Sequence, residues 1–206
     1  MKPGPPGPQL KNMLNKLLLF LGLILLFSAC DQGAEYQRMV KRELASGEKH
    51  DSLFLGIHFG MDSRTFYTHC WELNHQGLIK EGPDNGSVEY PLGELKHPGK
   101  MYFYPDFSED QIHKMRLIFT YDGWAPWNKN MKADSLEQDV LSIFKRWYGG
   151  RDFMELRSKK GNSVYVKVDG NRRISVWKED DMKVRALFKD LSVDKSAKKE
   201  NSGVLD

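Results

Sequence analysis

The stretch IHKMRLIFTY, residues 112–121, decides the fold because its side chains alternate in character. His113, Met115, Leu117, Phe119 and Tyr121 occupy every second position, and polar side chains including Lys114, Arg116 and Thr120 lie between them. This period of two predicts a β-strand with one buried face.

Two shorter strands are predicted on the N-terminal side of this stretch, over Ser87 to Leu92 and Met101 to Tyr104. They follow the turn signal Asp84-Asn85-Gly86, and Pro91 and Pro98 favour short or edge strands. Together the three strands predict an antiparallel meander.

A helix is predicted before this meander and another after it. Asp62 caps the earlier helix, Met61 and Phe66 have the spacing of a hydrophobic staple, and Gly77 ends it. Its wide apolar face consists of Phe66, Tyr67, Cys70, Trp71 and Leu73. The later helix starts at Asp134, with Glu137 in a capping-box variant, and stops at Gly149 and Gly150.

More alternating segments follow the second helix, around Val164 to Val168, Ile174 to Val176 and Met182 to Phe188, with a turn at Asp169-Gly170. The predicted fold class is α+β. It has two layers, with helices packed on one face of an antiparallel meander sheet and the other face open. Both halves run helix and then strands without detectable residue identity, so a duplication is left open.

The predicted domain covers residues 51–193, and a polar tail predicted to be disordered covers 194–206. Residues 30–50 are interpreted as a linker that contains a short amphipathic helix. Tyr36, Met39, Val40 and Leu44 share one face of that helix, which Gly47 ends.

Residues 1–29 have the pattern of an export signal. Lys16 precedes the eleven-residue apolar run from Leu17 to Phe27, which is shorter than the roughly 20 residues of a membrane-spanning helix. Ser28-Ala29-Cys30 then resembles the lipobox of bacterial lipoproteins, although Phe27 stands where a branched aliphatic residue is usual. We therefore expect lipid attachment at Cys30 and a membrane anchor. The alternative is ordinary cleavage after Ala29, which leaves a free thiol.

Removal of this segment also removes the chain's net charge. The formal charge is +3, and residues 1–29 contain three lysines and no acid, so the remaining chain is neutral. This balance does not favour nucleic-acid binding. Asp31 after Cys30 resembles an inner-membrane retention signal of some Gram-negative lineages, so the choice between inner and outer membrane stays open.

Cys70 is the other cysteine, and its neighbours His69 and His75 suggest a Cys/His pair. On a helix neither histidine is well placed as its base, so we interpret Cys70 as a core residue. The six histidines have no paired zinc-ligand spacing, and no nucleotide-binding or hydrolase motif is present. The sequence thus predicts no catalytic residues, no metal and no cofactor.

Two further features bear on binding. Trp124 and Trp127, in GWAPWN, are candidates for an exposed platform that binds a sugar or a protein; the alternative is that both close one end of the core. Lys167, Arg172 and Arg173 suggest a basic patch, but a solvated strand face is the preferred interpretation.

Four segments carry a resemblance to known proteins. They are RELASGEKHDSLFLGIHFGM (42–61), HCWELNHQGLI (69–79), GWAPWN (123–128) and DGNRRISVWKEDDM (169–182). They resemble an uncharacterised family of Gram-negative envelope lipoproteins, which implies no specific activity. The arrangement of elements is similar to that of small barrel-assembly lipoproteins and β-lactamase inhibitor proteins, a likeness of arrangement only.

These observations lead to two functional hypotheses. The first is a non-catalytic, lipid-anchored envelope protein that binds a protein or cell-wall partner through the open sheet face and the aromatic loops. The second is an enzyme or small-ligand-binding protein with a pocket near the Trp loop, Cys70 and His113.

Overall fold

The structure is a computed structural model that describes residues 32–84, 86–158 and 161–193. Cys30, the rest of residues 1–31 and the tail 194–206 lie outside these ranges. The chain divides into two compact units, Met1–Lys41 and Arg42–Asp206. No helix in the described ranges combines the length and the apolar composition needed to cross a membrane.

The described ranges contain three α-helices: α1 over 32–46, α2 over Ser63–His75 and α3 over Ala133–Tyr148. A short 3₁₀ helix, Lys129–Met131, precedes α3. Gly47 follows α1 with φ 71°, the left-handed conformation that glycine adopts at low cost, so its predicted role as a helix stop is confirmed.

Eight antiparallel strands form one sheet in the order β1-β2-β3-β4-β8-β7-β6-β5. The strands are β1 Lys80–Glu81, β2 Val88–Pro91, β3 Gly99–Ser108, β4 Gln111–Tyr121, β5 Met154–Arg157, β6 Ser163–Asp169, β7 Arg172–Lys178 and β8 Lys183–Asp190. Strands β4 and β8 pair at the centre of the sheet, so the final strand of each meander joins the two meanders. The fold is mixed α+β with the sheet dominant, and the predicted class is confirmed.

The main core lies between α3 and the central strands, because α3 contacts β4, β7 and β8. Leu136, Val140 and Phe144 project from α3 and are fully buried. They pack in one cluster with the buried side chains of the central strands, among them Met115, Leu117, Phe119, Ile174, Val176, Val184, Ala186 and Phe188.

Helix α2 begins as the sequence predicts. The carboxylate of Asp62 accepts a hydrogen bond from the Thr65 N–H at 2.8 Å, and Met61 and Phe66 are both buried. The wide apolar face is only partly correct, because Tyr67 and Trp71 are exposed while Phe66 and Leu73 are buried. Because α2 lies at the margin of the core, the core covers only part of the apolar face of this helix.

Helix α3 starts differently from the prediction. Its N-cap is Lys132, which has no side-chain capping bond, and Asp134 pairs with Lys178. Glu137 is buried rather than bonded back to the helix start. The capping-box prediction was wrong, because a cross-element ion pair and the core take the two acidic side chains.

The pairing of β3 with β4 shifts register between Asp106 and Phe107. Asp106 pairs with Lys114 and Phe107 with Ile112, so His113 is the extra residue of a β-bulge. The alternation predicted for the fold-deciding stretch therefore holds from Met115 to Tyr121 and is interrupted at His113.

Candidate functional site

The two tryptophans of the GWAPWN loop differ in environment. Trp124 is half-buried, and its Nε1–H donates to the Asp181 carbonyl at 3.1 Å. Trp127 is 84% exposed. Trp124 thus ties the loop to the β7–β8 turn, and Trp127 presents its indole to solvent. An exposed platform made by both indoles stays a prediction.

Cys70 is half-buried on α2 and packs against the main core. Burial raises the pKa of its thiol to about 11. Its neighbour His69 donates from Nε2 to the Leu55 carbonyl at 2.6 Å, so this ring fastens the 51–60 loop instead of serving the thiol.

His113 and the Trp loop lie at opposite ends of β4. Eight residues of extended chain separate His113 from Tyr121, a distance of roughly 27 Å. The structure does not bring His113 and Trp124 together. Over residues 32–193, apart from the three undescribed positions, no group of three His, Cys, Asp or Glu side chains could hold a metal ion.

The sheet face opposite α3 is a further candidate surface, and we term it the outward sheet face. Cross-strand pairs share a face, so the registers assign its members. Its central residues are Glu89, Lys100, Tyr102, Tyr104, Asp106, Lys114, Arg116, Ile118, Thr120, Lys183, Arg185, Leu187, Lys189, Arg173, Ser175 and Trp177.

Two rows across this face show its chemistry. One row runs Tyr104, Arg116, Leu187 over β3, β4 and β8. The next runs Tyr102, Ile118, Arg185, Trp177 over β3, β4, β8 and β7. Tyr, Trp and Arg, the residue types enriched at protein-binding hot spots, thus recur over four strands beside Ile118 and Leu187.

Basic groups dominate the outward sheet face. Among its central residues, seven are Lys or Arg, and the acids are Glu89 and Asp106. Asp106 pairs with Arg116 at 2.8 Å. Glu89 is buried, which opposes its ionisation, but bonds and charges from Lys80 and Lys100 hold the pKa of its carboxyl below the ordinary value. Seven basic residues and two acids leave a formal excess of positive charge among the central residues. Of the seven, Lys189 is buried, and Arg185 pairs with Glu179 at 2.6 Å.

The outward sheet face becomes apolar toward β5 and β6. Val164, Val166 and Val168 lie on this face by register and are buried. The basic and aromatic region therefore extends from β3 to β7.

Sequence reasoning missed the location of two basic residues. Lys167 is 1% exposed and Arg172 is 4% exposed, and both lie on the α3 face of the sheet. The preferred interpretation as a solvated strand face was wrong for them. Lys167 donates to the carbonyls of Gly149 and Arg151, in the segment that directly follows α3.

A cavity of about 470 Å³ adjoins Arg172, and we term it the Arg172 cavity. It is lined by His50, Ser52, Leu53, Phe54, Leu55, Tyr90, Trp147, Tyr148 and Arg172. A second, more polar cavity of about 430 Å³ includes Asp134, Glu137, Tyr165 and Lys178 in its lining. Neither of these two cavities is lined by Trp127, Cys70 or His113.

Comparison of this chain with protein-family models, curated proteins and solved structures yields no match.

Proposed function

We propose that this chain is a non-catalytic, lipid-anchored protein of a bacterial cell envelope that binds an acidic protein partner through the outward sheet face. Cys30 carries the lipid in this proposal. In the two-layer arrangement that we propose, the helices cover one face of the sheet, and the partner binds the part of the outward sheet face that extends from β3 to β7.

One observation carries the proposal: the outward sheet face combines Tyr102, Tyr104 and Trp177 with seven basic residues, of which six are at least partly exposed, and with two acids. Ordinary monomer surfaces mix both signs of charge. An excess of one sign next to aromatic groups favours a partner with the opposite charge, since complementary potentials speed association and exclude wrong partners.

Site-specific photocrosslinking in intact cells tests the binding face. A photoreactive residue at Tyr104 or Ile118 should form a crosslink to one reproducible acidic protein. Ser142 is exposed on α3, on the other side of the sheet, and is the matched control position. Charge reversal by Arg116→Glu with Arg185→Glu should abolish the crosslink without changing the amount of protein.

Two outcomes would contradict the binding proposal. One is a crosslink pattern that is equally strong from Ser142. The other is transfer of the label to cell-wall glycan alone, which would assign this face to the cell wall instead of a protein.

The anchor has a separate test. Radiolabelled fatty acid should enter the wild-type chain, and Cys30→Ala should lose the label and leave the membrane fraction. An unlabelled wild type would support ordinary cleavage after Ala29 and a secreted domain.

The alternative proposal is a small-ligand-binding protein. The observation that favours it is the Arg172 cavity, which has aromatic walls and a buried cation. This site differs from the pocket near the Trp loop, Cys70 and His113 that the sequence suggested.

A further inference from the structure

We infer that two copies of this chain associate through β5, which pairs antiparallel with β5 of the second copy and has Leu156 on the two-fold axis. Strand β5 is the last strand in the sheet order, so one side of it pairs with β6 and the other side is open. This open side is an edge of the sheet and not the outward sheet face, so the inference stands apart from the proposed partner binding.

The backbone groups of two residues face this open edge. Arg157 lies opposite Ser163 in the ladder, so Ser158 lies opposite Asn162, and the Ser158 N–H donates to the Asn162 carbonyl at 2.8 Å. In an antiparallel pair, residues that bond to the neighbouring strand alternate with residues that do not. Since Ser158 bonds toward β6, the N–H and carbonyl groups of Arg157 and Glu155 point the other way, into the open edge.

The charges of these two residues select one register for pairing with a second copy. Only residues whose backbone groups face the edge can bond across it, so Glu155 and Arg157 meet the same two residues of the second copy. Glu155 opposite Glu155, or Arg157 opposite Arg157, places like charges together, which is unfavourable. The remaining register sets Glu155 of each copy opposite Arg157 of the other, and both bonded pairs then have opposite charges.

Both side chains are available for these ion pairs. Glu155 and Arg157 are exposed, and the Ser163 hydroxyl donates to Oε1 of Glu155 at 2.5 Å, which leaves Oε2 to accept from an arginine. Charges on an edge strand usually discourage pairing. Here the sign alternates between two positions that exchange places in an antiparallel self-pair, so the charges favour a second copy.

The opposite edge of the sheet does not offer the same pairing. Strand β1 has two residues, and its Lys80 already pairs with the buried Glu89 at 3.1 Å. Strand β5 is therefore the edge that suits a second copy.

Leu156 completes the complementarity on the other face of the strand. It lies opposite Val164 and is 5% exposed, so it continues the apolar part of the outward sheet face. On the two-fold axis it forms a non-hydrogen-bonded pair with Leu156 of the second copy, in which the Cα atoms lie about 4.5 Å apart. The apolar row thus continues from one copy into the next.

Disulfide trapping in intact cells tests the register, because an interface of four-residue strands is small and its complex is short-lived. Two copies of the full chain carry different tags and Cys70→Ala; one also carries Glu155→Cys and the other Arg157→Cys. We expect a mixed disulfide after mild oxidation, since Cα atoms of a hydrogen-bonded pair lie about 5.5 Å apart, within the range of a disulfide. Two copies with Glu155→Cys should not crosslink, because this register sets them more than about 7 Å apart.

A second trap reports on charge. Leu156→Cys with Cys70→Ala should crosslink to itself across the two-fold axis. Added Glu155→Arg should slow this crosslink at least about tenfold, because both bonded pairs change from opposite to like charge. The exchange of Glu155→Arg together with Arg157→Glu should restore the rate, since each pair again has opposite charges. The mixed disulfide uses exposed positions only, so it decides the inference if Leu156→Cys does not fold.

The inference is overturned if the mixed disulfide does not form, or if two copies with Glu155→Cys crosslink as strongly as the mixed pair. Ser142→Cys, on the exposed side of α3, measures chance collision, and an equal yield from this position would also overturn it. Crosslinks from Glu155→Cys to a different protein, with none to the second copy, would assign the β5 edge to another chain.

Discussion

At the scale of single residues, burial decides the chemistry of this protein more than residue type does. Cys70 has the residue type of a nucleophile, but its surroundings keep it protonated. Lys167 and Arg172 have the residue type of surface groups, yet the sheet and the end of α3 enclose them. Burial thereby makes the Cys70 thiol unreactive. It also makes Lys167 and Arg172 unusual, because charged side chains are rarely buried so fully.

The Cys70 thiol should react slowly in the native state. With its pKa raised to about 11, about one thiol in a thousand is ionised at pH 8, and the thiolate is the reactive form. We expect iodoacetamide to modify Cys70 far more slowly in the folded chain than in urea, as measured by mass spectrometry of the Cys70 peptide.

The same shift makes stability depend on alkaline pH. The folded pKa of the Cys70 thiol lies above its ordinary value, so the folded state favours the neutral thiol and loses stability as pH rises toward 11. Cys70→Ala should show a smaller loss of unfolding free energy over this interval. Rapid stoichiometric alkylation of the native wild type at pH 7 would contradict the account of Cys70 as a core residue.

Loss of the Asp169 carboxylate should be severe. Asp169→Asn removes the carboxylate that contacts both buried cations, Lys167 and Arg172, and we expect a loss of about 3–5 kcal/mol in the free energy of unfolding, measured by urea denaturation. The matched control is Asp106→Asn. Its pair with Arg116 is shorter, at 2.8 Å, but the arginine is 60% exposed, so the expected loss is below about 1 kcal/mol. Similar losses in the two variants would refute the assignment of a buried charge cluster.

At the scale of elements, the two long helices start under different constraints. Helix α2 has a side-chain cap from Asp62 and stands at the margin of the core. Helix α3 has no side-chain cap at Lys132, but its apolar stripe is fully buried and packs on three strands. Packing thus specifies α3, and local capping contributes more to α2.

The missing cap of α3 gives a stabilising substitution. Lys132 has φ −88° and ψ 162°, the extended conformation of an N-cap residue, so Lys132→Ser should place a hydroxyl near the free N–H groups of the first turn. We expect a gain of about 1 kcal/mol in the free energy of unfolding, measured by thermal and urea denaturation. Lys129→Ser, an exposed change just before α3, should have little effect. A destabilised Lys132→Ser would mean that the lysine itself holds the helix start.

Elements whose cause is local could be predicted from the sequence. The Asp62 cap, the glycine stop at Gly47 and the turn at Gly170 each depend on a few adjacent residues, and the structure has all three. The bulge at His113 could not be predicted, because it depends on the register with β3. Likewise, the burial of Arg172 depends on the loop at Ser52, 120 residues away in the sequence.

For the candidate sites too, features with a local cause could be predicted from the sequence, and features that depend on distant residues could not. An open sheet face is a prediction from the alternation of side chains. The basic composition of the outward sheet face depends on which strands are neighbours, since β8 joins β4 across the whole second half of the domain. The Arg172 cavity had no local signal, since its walls come from the 50–55 loop, β2, α3 and β7. Arg172 and Lys167 near the Gly170 turn do not reveal this cavity, because strand alternation alone favours solvent exposure for both cations.

At the scale of the whole molecule, one continuous hydrophobic core joins the first meander, β1–β4, to the second meander, β5–β8. The β4–β8 ladder pairs seven residues of each strand, and α3 spans this junction. The same buried cluster contains Phe103 from the first meander and Phe188 from the second, and the Phe54 ring contacts both. Neither meander has a core that is closed without the other.

This shared core predicts that the meanders unfold together. Leu136 of α3 is fully buried in the cluster, and Leu136→Ala should cost about 2–5 kcal/mol by leaving a cavity. Because the core is common, hydrogen-exchange protection should fall by the same free energy in β3 and in β7, with a single transition in urea. Leu78→Ala, at a 44% exposed position, is the control and should leave both strands unchanged. A loss of protection confined to β7 and its neighbours would show instead that the second meander is an independent cooperative unit and that the β4–β8 ladder is only a contact between two domains.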